Sequence, residues 1–319
     1  MRGEAGVAEA DLTIAIVNHE TRELLRACLA SVVSGAADER PPIVVVDNAS
    51  ADGSAEMVRD EFPCVRLIAS AENRGYGAGA NLALAACTTR YALLLNADTR
   101  LTPGAPATLA DYLLRHSRVA LAGPRLVAPD GALEPSCHAF PGAATALLEL
   151  TSVGRVADAL AQVPGLPALH PPASAHDRAR PVDWVTGAAL AIRRDAFDAV
   201  GGFDESFFMY WEETDLCYRL AAAGWVTHFV PAAAIVHAGA ASTSQRRAEM
   251  AFQFLAGLRR FSARHYSPSR RWRLEATLRA ILRIRLAQDR LRLRFSRDPA
   301  QRQRLAESLA VWRRALDVG

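Results

Sequence analysis

Ile43-Val-Val-Val-Asp-Asn-Ala-Ser-Ala-Asp-Gly-Ser54 changes character at its fifth residue. Four β-branched residues in a row have no polar face, so the run predicts a strand buried on both sides. Asp, Asn, Ser and Gly follow at once, and these residues make turns through short side-chain hydrogen bonds and backbone freedom. Met57, Val58 and Phe62 then mark a helix. The same pattern recurs on either side. Leu12-Thr-Ile-Ala-Ile-Val17 precedes helical spacing at Leu24, Leu25, Cys28, Leu29 and Val32. Val65-Arg-Leu-Ile68 precedes a helix near Gly79 to Cys87, and Tyr91-Ala-Leu-Leu-Leu95 closes the series. Apolar strands alternating with helices predict an α/β fold whose mainly parallel sheet is flanked by helices.

Polar residues gather where these strands end: Asn18, then Asp47 and Asn48, then Asn96 and Asp98. The carboxyl edge of such a sheet is where ligands bind, and several strands contribute to it here. Further on, 162–181 is rich in Pro, Ala and Ser and reads as a loop. Order resumes at Val182-Asp-Trp-Val-Thr-Gly-Ala-Ala-Leu-Ala-Ile192. From 244 onward the pattern is helical, with stripes at Met250, Phe254, Leu258 and Phe261, and at Leu274, Leu278, Ile281 and Leu282. The chain thus divides into an α/β domain over 1–243 and a helical extension over 244–319.

The net charge of +3 conceals a division. Residues 246–319 hold 19 arginines against 6 acids, a balance of +13, and the remainder carries −10. A basic tail on an acidic body implies an anionic partner: membrane lipid, a phosphate-bearing substrate or nucleic acid. No aromatic platform or recognised motif supports nucleic acid. Packing on the main domain and a homodimer interface are the other uses such helices have. Five scattered cysteines without a C-x-x-C pair speak for reduced thiols rather than a zinc ribbon or disulfides. No signal-like or membrane-spanning apolar run is present, so the expectation is a cytoplasmic protein, soluble or peripheral on the inner face of the membrane.

Three further segments carry chemistry: Glu72-Asn-Arg-Gly-Tyr-Gly-Ala-Gly-Ala-Asn81, Leu94-Leu-Asn-Ala-Asp-Thr99 and Phe208-Met-Tyr-Trp-Glu-Glu-Thr-Asp-Leu-Cys-Tyr-Arg219. Gly75-x-Gly77-x-x-Ala80 satisfies a loose dinucleotide fingerprint, with Asp98 placed like its acidic residue, which admits a nicotinamide-dependent dehydrogenase. That fingerprint normally follows the first strand, whereas two strand–helix units come first here. Paired carboxylates alone also suggest a glycosidase, but hydrolysis gives no reason for a nucleotide-binding edge.

Together with Val45–Ser54, Trp184-Val-Thr-Gly-Ala188, Gly201-Gly-Phe-Asp-Glu205 and His237-Ala-Gly239, these segments resemble, in order and spacing over roughly 12–243, the family 2 glycosyltransferases of the GT-A fold, particularly the rhamnosyltransferase-like branch. The resemblance implies a GT-A-like domain transferring a sugar, with inversion, from a nucleoside-diphosphate donor to a hydroxyl of a polysaccharide, glycolipid or other lipid-linked acceptor. It favours dTDP-rhamnose, with a UDP-sugar second. Asp47 would contact the pyrimidine N–H, and Asn18, Asn73, Gly75, Asn96 and Asp98 would line the nucleotide sugar.

Asp98 matches the second acid of the family's D-x-D signature, the first being Asn96 here. With His237 it would hold Mn²⁺ or Mg²⁺, imidazole favouring manganese. His237-Ala-Gly239-Ala240 departs from the family's usual Gly-Gly. An inverting transfer needs one carboxylate to take the acceptor's proton. Glu213 occupies the matching position. Trp184, Thr186, Gly187, Trp211, Glu212 and Asp215 are the expected acceptor contacts, and Phe208, Tyr210 and Trp211 form either a sugar-stacking wall or core. Asp215 could also simply pair with Arg219, one helical turn on.

Overall fold

The computed structural model describes residues 11–34, 40–144, 176–239 and 247–317. They fall into two compact units. The first takes in the described parts of 11–139, 176–208 and 212–239; the second takes in 140–144, Met209–Trp211 and 247–317. Most of the loop expected over 162–181 lies outside the described residues, but its end is a strand, Arg180–Val182.

The first unit is built on a sheet of ten described strands. β1 (Leu12–Asn18), β2 (Ile43–Asp47), β3 (Arg66–Ala69) and β4 (Tyr91–Asn96) run parallel in the order β3-β2-β1-β4. All residues of β1 and β2 are buried, as runs without a polar face require. Helices α1 (Arg22–Val33), α2 (Ser54–Glu61) and α3 (Tyr76–Ala85) make the crossovers. The chain moves outward through β2 and β3, then returns to the other side of β1. This reversal opens a crevice at the carboxyl ends of β1 and β4. Register sets Asn18 beside Asp47 and Val17 beside Asn96, so the polar strand ends form one row.

Beyond β4 the sheet becomes mixed. β5 (Thr99–Leu101), α4 (Ala105–Arg115) and β6 (Val119–Val127) follow β4 in the chain, and β11 (Ala189–Arg193) runs antiparallel between β4 and β6. β12 (Val226–His237) lies parallel to β6 and ends against β5, with His237 opposite Thr99. β7 (Leu133–Glu134) pairs with β6, and β9 (Arg180–Val182) with β12. β8 (Cys137–His138) and β10 (Trp184–Val185) make a separate antiparallel pair. Two helices complete the unit, α5 (Arg194–Ala199) and α6 (Glu212–Ala222).

The glycine-rich segment is packing hardware. Helix α3 buries Gly77, Ala78, Gly79, Ala80, Ala83 and Leu84. A Cβ on Gly79 would come within 2.9 Å of Val17 Cγ1, so the missing side chain brings the helix against β1. Gly75 has φ +96, and a Cβ there would sit 2.3 Å from the carbonyl oxygen of Phe208. Left-handed strain and a backbone clash add, so Gly75→Ala is expected to cost about 2–5 kcal/mol. A urea titration showing less than about 1 kcal/mol lost would remove this reading.

The second unit consists chiefly of α7 (Arg247–His265), α8 (Pro268–Phe295) and α9 (Pro299–Asp317). Pro268 opens α8 at a position that needs no N–H, and Ser267 caps it by accepting from Arg270 N. The expected stripe Leu274, Leu278, Ile281, Leu282 is buried. On α7 the buried line runs instead through Phe252, Leu255, Leu258 and Phe261, with Met250 and Phe254 half-buried. Arg259 ties the three helices, bonding both oxygens of Glu275 at 3.0 Å and the carbonyl of Ala315. Among the described residues no helix is long and apolar enough to cross a membrane, and all five cysteines are free thiols.

Candidate functional site

The row of strand ends is tightly wired. Asp47 accepts from Asn18 Nδ2 at 2.7 Å, from Ser50 Oγ at 2.6 Å and from Ser50 N at 3.0 Å. Its carboxylate therefore closes the turn after β2, with one acceptor position left over. Asn48 continues the network, donating to Asn73 Oδ1 at 3.1 Å and to the Gly75 carbonyl at 2.9 Å. Asn73 Oδ1 also accepts from Gly75 N at 2.9 Å. Asn18, Asp47, Asn73 and Gly75 are thus brought together, and Asn48 holds them in place.

Asp98 follows β4 and precedes β5, whose pairing with β12 delivers His237. The carbonyl of Asp98 accepts from Ala238 N at 2.9 Å. His237 Nε2 stands 3.4 Å from Asp98 Oδ1, and both side chains are 10% exposed. The other ring nitrogen, Nδ1, lies 3.0 and 2.9 Å from the two oxygens of Glu134. Burial lowers the His237 pKa, but hydrogen bonds to Asp98 and Glu134 outweigh it and push it up to about 9. The site's field thus favours positive charge. Asn96 Oδ1 is buried, and no donor reaches it among the described residues.

These features fit a divalent cation. Neighbouring ligands of an octahedral ion with bonds of about 2.1 Å lie roughly 3 Å apart, close to the Asp98–His237 separation. Among the described residues no three His, Cys, Asp or Glu side chains converge as a complete metal cage. The described residues would supply two ligands and leave the other positions to a bound ligand and water, and a neutral Asn96 carbonyl suits that division.

Helix α6 opens with Glu212, Glu213 and Asp215, where acids complement the helix dipole. The structure separates their roles. Asp215 is fully buried and accepts from Arg219 Nε at 2.6 Å. Arg219 also donates to the carbonyls of Val200 and Gly202, at 2.7 and 2.6 Å, holding the turn where Gly201 and Gly202 have positive φ. Asp215 is thus committed to the one-turn pairing rather than facing an acceptor. Glu212 is also buried, and its Oε2 has no hydrogen-bond partner among the described residues. Burial and then the neighbouring Glu213 hold its pKa well above the usual carboxylate range. Of the three acids only Glu213 is partly exposed. A Cβ placed on Gly187 would be 3.4 Å from Glu213 Oε1, so the glycine keeps the ground beside this oxygen clear.

Tyr76 is a further buried group of the site that sequence reading did not reveal. Its hydroxyl donates to the Gly187 carbonyl at 3.1 Å. Its pKa lies well above the phenolic value through burial, then through Glu212, Glu213 and Asp98.

Trp184 is partly exposed, stacks on His138 with centroids 4.2 Å apart, and donates to the Ala139 carbonyl at 2.9 Å. Thr186 Oγ1 lies 3.2 Å from His138 Nε2. Trp211 is different. It is buried, donates to the Phe254 carbonyl at 2.7 Å and packs on Phe254 and Phe261 within the second unit. Gly257 makes room for it, since a Cβ there would be 2.5 Å from the indole. Of the two roles open to Trp211, this is core. Tyr210 and Trp211 have φ of +67 and +75, strain of the kind that functional segments carry. Phe208 is 39% exposed.

Residues 13–146 match the model of the family described as Glycosyl transferase family 2, and residues 172–296 that of Glycosyl transferase family group 2. The N-acetylglucosaminyl-diphospho-decaprenol L-rhamnosyltransferase of Mycobacterium tuberculosis is 33% identical over 223 residues, covering 66% of this chain and 70% of that protein. Rhamnosyltransferase WbbL of Escherichia coli is 34% identical over 109 residues, 34% of each chain. Among solved structures, a mannosyltransferase from Pyrobaculum calidifontis in complex with GDP-Man and Mn²⁺ superposes with a TM-score of 0.56 at 17% identity, covering 97% of this chain and 86% of that one. GalNAc-T7 with UDP, GalNAc and Mn²⁺ gives 0.55 at 15% identity, over 79% and 47%.

Proposed function

The chain belongs to glycosyltransferase family 2, in its rhamnosyltransferase-like branch and with the GT-A fold, and from that premise we propose that it transfers L-rhamnose from dTDP-rhamnose to a lipid-linked saccharide, with inversion at the anomeric carbon. Family membership sets aside the dehydrogenase reading of Gly75 to Ala80, whose glycines serve packing. The two rhamnosyltransferase relatives support the donor sugar, and the M. tuberculosis protein supports a diphospho-polyprenol acceptor. A UDP-sugar is the second reading, because the free acceptor position of Asp47 would meet the same N–H on uracil as on thymine.

Glu213 carries the chemical assignment, because it alone of the first-turn acids is partly exposed. Its carboxylate takes the proton of the acceptor hydroxyl as that oxygen bonds to the anomeric carbon. The bond from carbon to diphosphate breaks on the opposite face, and the nucleoside diphosphate departs with its electrons. Glu212 is buried and offers no surface to an acceptor hydroxyl, so the task falls to its neighbour. Asp98 and His237 would hold Mn²⁺ or Mg²⁺, which when bound neutralises charge building on the diphosphate. Trp184 and Thr186 would border the acceptor. The test is incubation with dTDP-rhamnose and, separately, UDP-sugars, using a short-chain diphospho-prenyl N-acetylglucosamine acceptor. Transfer from dTDP-rhamnose with inverted anomeric configuration supports the reading, and retention of configuration would overturn the single displacement.

An anionic membrane surface is the proposed partner of the second unit. On α8, Ile284, Leu291 and Phe295 are 57%, 59% and 72% exposed and share one face. Arg283, Arg290 and Arg294, each one residue earlier, form an exposed cationic row alongside. An apolar stripe edged by arginine suits the headgroup region of an anionic bilayer, each cation adding about 1 kcal/mol. The protein is expected to float with phosphatidylglycerol vesicles, not with phosphatidylcholine, and to release in high salt. Equal absence from both kinds of vesicle would refute it, and a concentration-dependent dimer that buries the stripe would replace it.

A further inference from the structure

We infer that Glu134 is the positioning residue that fixes the ring of His237 as a metal ligand, an inference that rests on the metal-dependent reading above. Pro129-Asp-Gly131 reverses the chain after β6: Gly131 has φ +85, Asp130 Oδ1 accepts from Ala132 N at 3.0 Å, and Ala128 N donates to Ala132 O at 2.8 Å. The return strand β7 is only two residues long, and its register sets Glu134 opposite Leu126 of β6. β12 lies on β6 in parallel register, Ile235 opposite Leu126 and Val236 opposite Val127. A hairpin too short to add much to the sheet thus brings one carboxylate to the imidazole at the end of β12.

Chemistry then decides the tautomer. A carboxylate only accepts, so with Glu134 oxygens 3.0 and 2.9 Å away the Nδ1 of His237 must carry hydrogen. With Nδ1 committed to Glu134, Nε2, the atom 3.4 Å from Asp98 Oδ1, is the nitrogen at which a cation would take the place of a proton. Without Glu134 either nitrogen could carry the proton, and the ring could turn about its χ angles. A carboxylate on the far nitrogen of a ligating histidine fixes both choices and raises the ring's basicity, and losing it costs typically 10- to 100-fold in metal affinity. Glu134 would touch neither metal nor substrate.

The experiment is calorimetric titration of Mn²⁺ into the full chain, alone and with saturating dTDP or UDP, for wild type, Glu134→Ala and Glu134→Gln. Glutamine keeps an oxygen that accepts from Nδ1–H, so it should bind Mn²⁺ within a few-fold of wild type. Alanine should bind about 10- to 100-fold more weakly, with its urea midpoint little changed. Alanine binding as tightly as wild type would overturn the positioning role while leaving the metal site standing. Glutamine as weak as alanine would also overturn it, pointing to the negative charge rather than to the tautomer. Absence of Mn²⁺ binding by wild type under every condition would overturn the metal reading itself, and the role of Glu134 with it.

Discussion

Glu213→Gln is expected to lower the turnover of sugar transfer by about 10²- to 10⁴-fold, the usual worth of a positioned general base. The amide nearly matches the carboxylate in shape but cannot take a proton at neutral pH. Binding of dTDP with Mn²⁺ should stay within a few-fold of wild type, because the proposed ligands are Asp98 and His237. The decisive comparison is with Glu212→Gln. Glu212 is buried away from any acceptor, and burial and the neighbouring Glu213 push its pKa upward, so an amide there disturbs the site least. That variant should keep most of its activity. Single-turnover rates at saturating donor and acceptor make the comparison. If Glu212→Gln were the inactive one and Glu213→Gln turned over normally, the base would be misassigned.

The second large effect is expected from Asp98→Ala. The variant removes the carboxylate facing His237 Nε2, leaving one imidazole and the donor's own oxygens to hold a cation. Loss of the charge stabilisation that a bound metal gives a departing diphosphate is worth several kcal/mol, a fall of roughly 10²- to 10³-fold in kcat/KM. The backbone link from Ala238 N to the Asp98 carbonyl does not involve the side chain, so the strand ends should stay paired. Mn²⁺ should then no longer tighten dTDP binding. Undiminished metal dependence would show that the cation is held elsewhere.

The parallel half of the sheet was legible because β1, β2 and β4 are apolar on both faces, and strands of that kind announce themselves without alternation. The strand-end row was legible for the same reason, since each polar residue interrupts such a run. β6 was harder. Its Gly123 and Pro124 are poor strand residues, and the glycine is needed because Val185 fills the space a Cβ there would take, 2.7 Å away. Tyr76 and Glu134 were not found because their importance lies in contacts across sequence distance. A two-residue strand leaves no periodic trace.

The acidic run illustrates the limit of pattern reading. The one-turn spacing of Asp215 and Arg219 showed the pairing that exists, but spacing cannot tell which of Glu212 and Glu213 keeps some exposure. Trp211 stands among residues that look like a ligand wall, yet its ring packs on Phe254 and Phe261. Aromatic residues suit sugar stacking and core packing equally, and composition does not separate the two uses. In the second unit the buried stripe of α8 was evident from its period. The exposed Ile284, Leu291 and Phe295 follow a helical spacing as well, and only burial reveals that nothing among the described residues covers them fully.

Metal-dependent recognition of a nucleoside diphosphate is the claim on which the other assignments depend. A thermal-shift panel of dTDP, UDP, GDP and NAD, each with and without Mn²⁺, tests it most directly, because a ligand that binds only the folded state raises its melting temperature. The expected result is stabilisation by dTDP, less by UDP, in each case enlarged by Mn²⁺ and lost in Asp98→Ala. Stabilisation that ignores Mn²⁺ and persists in Asp98→Ala, or that appears with NAD alone, would contradict it.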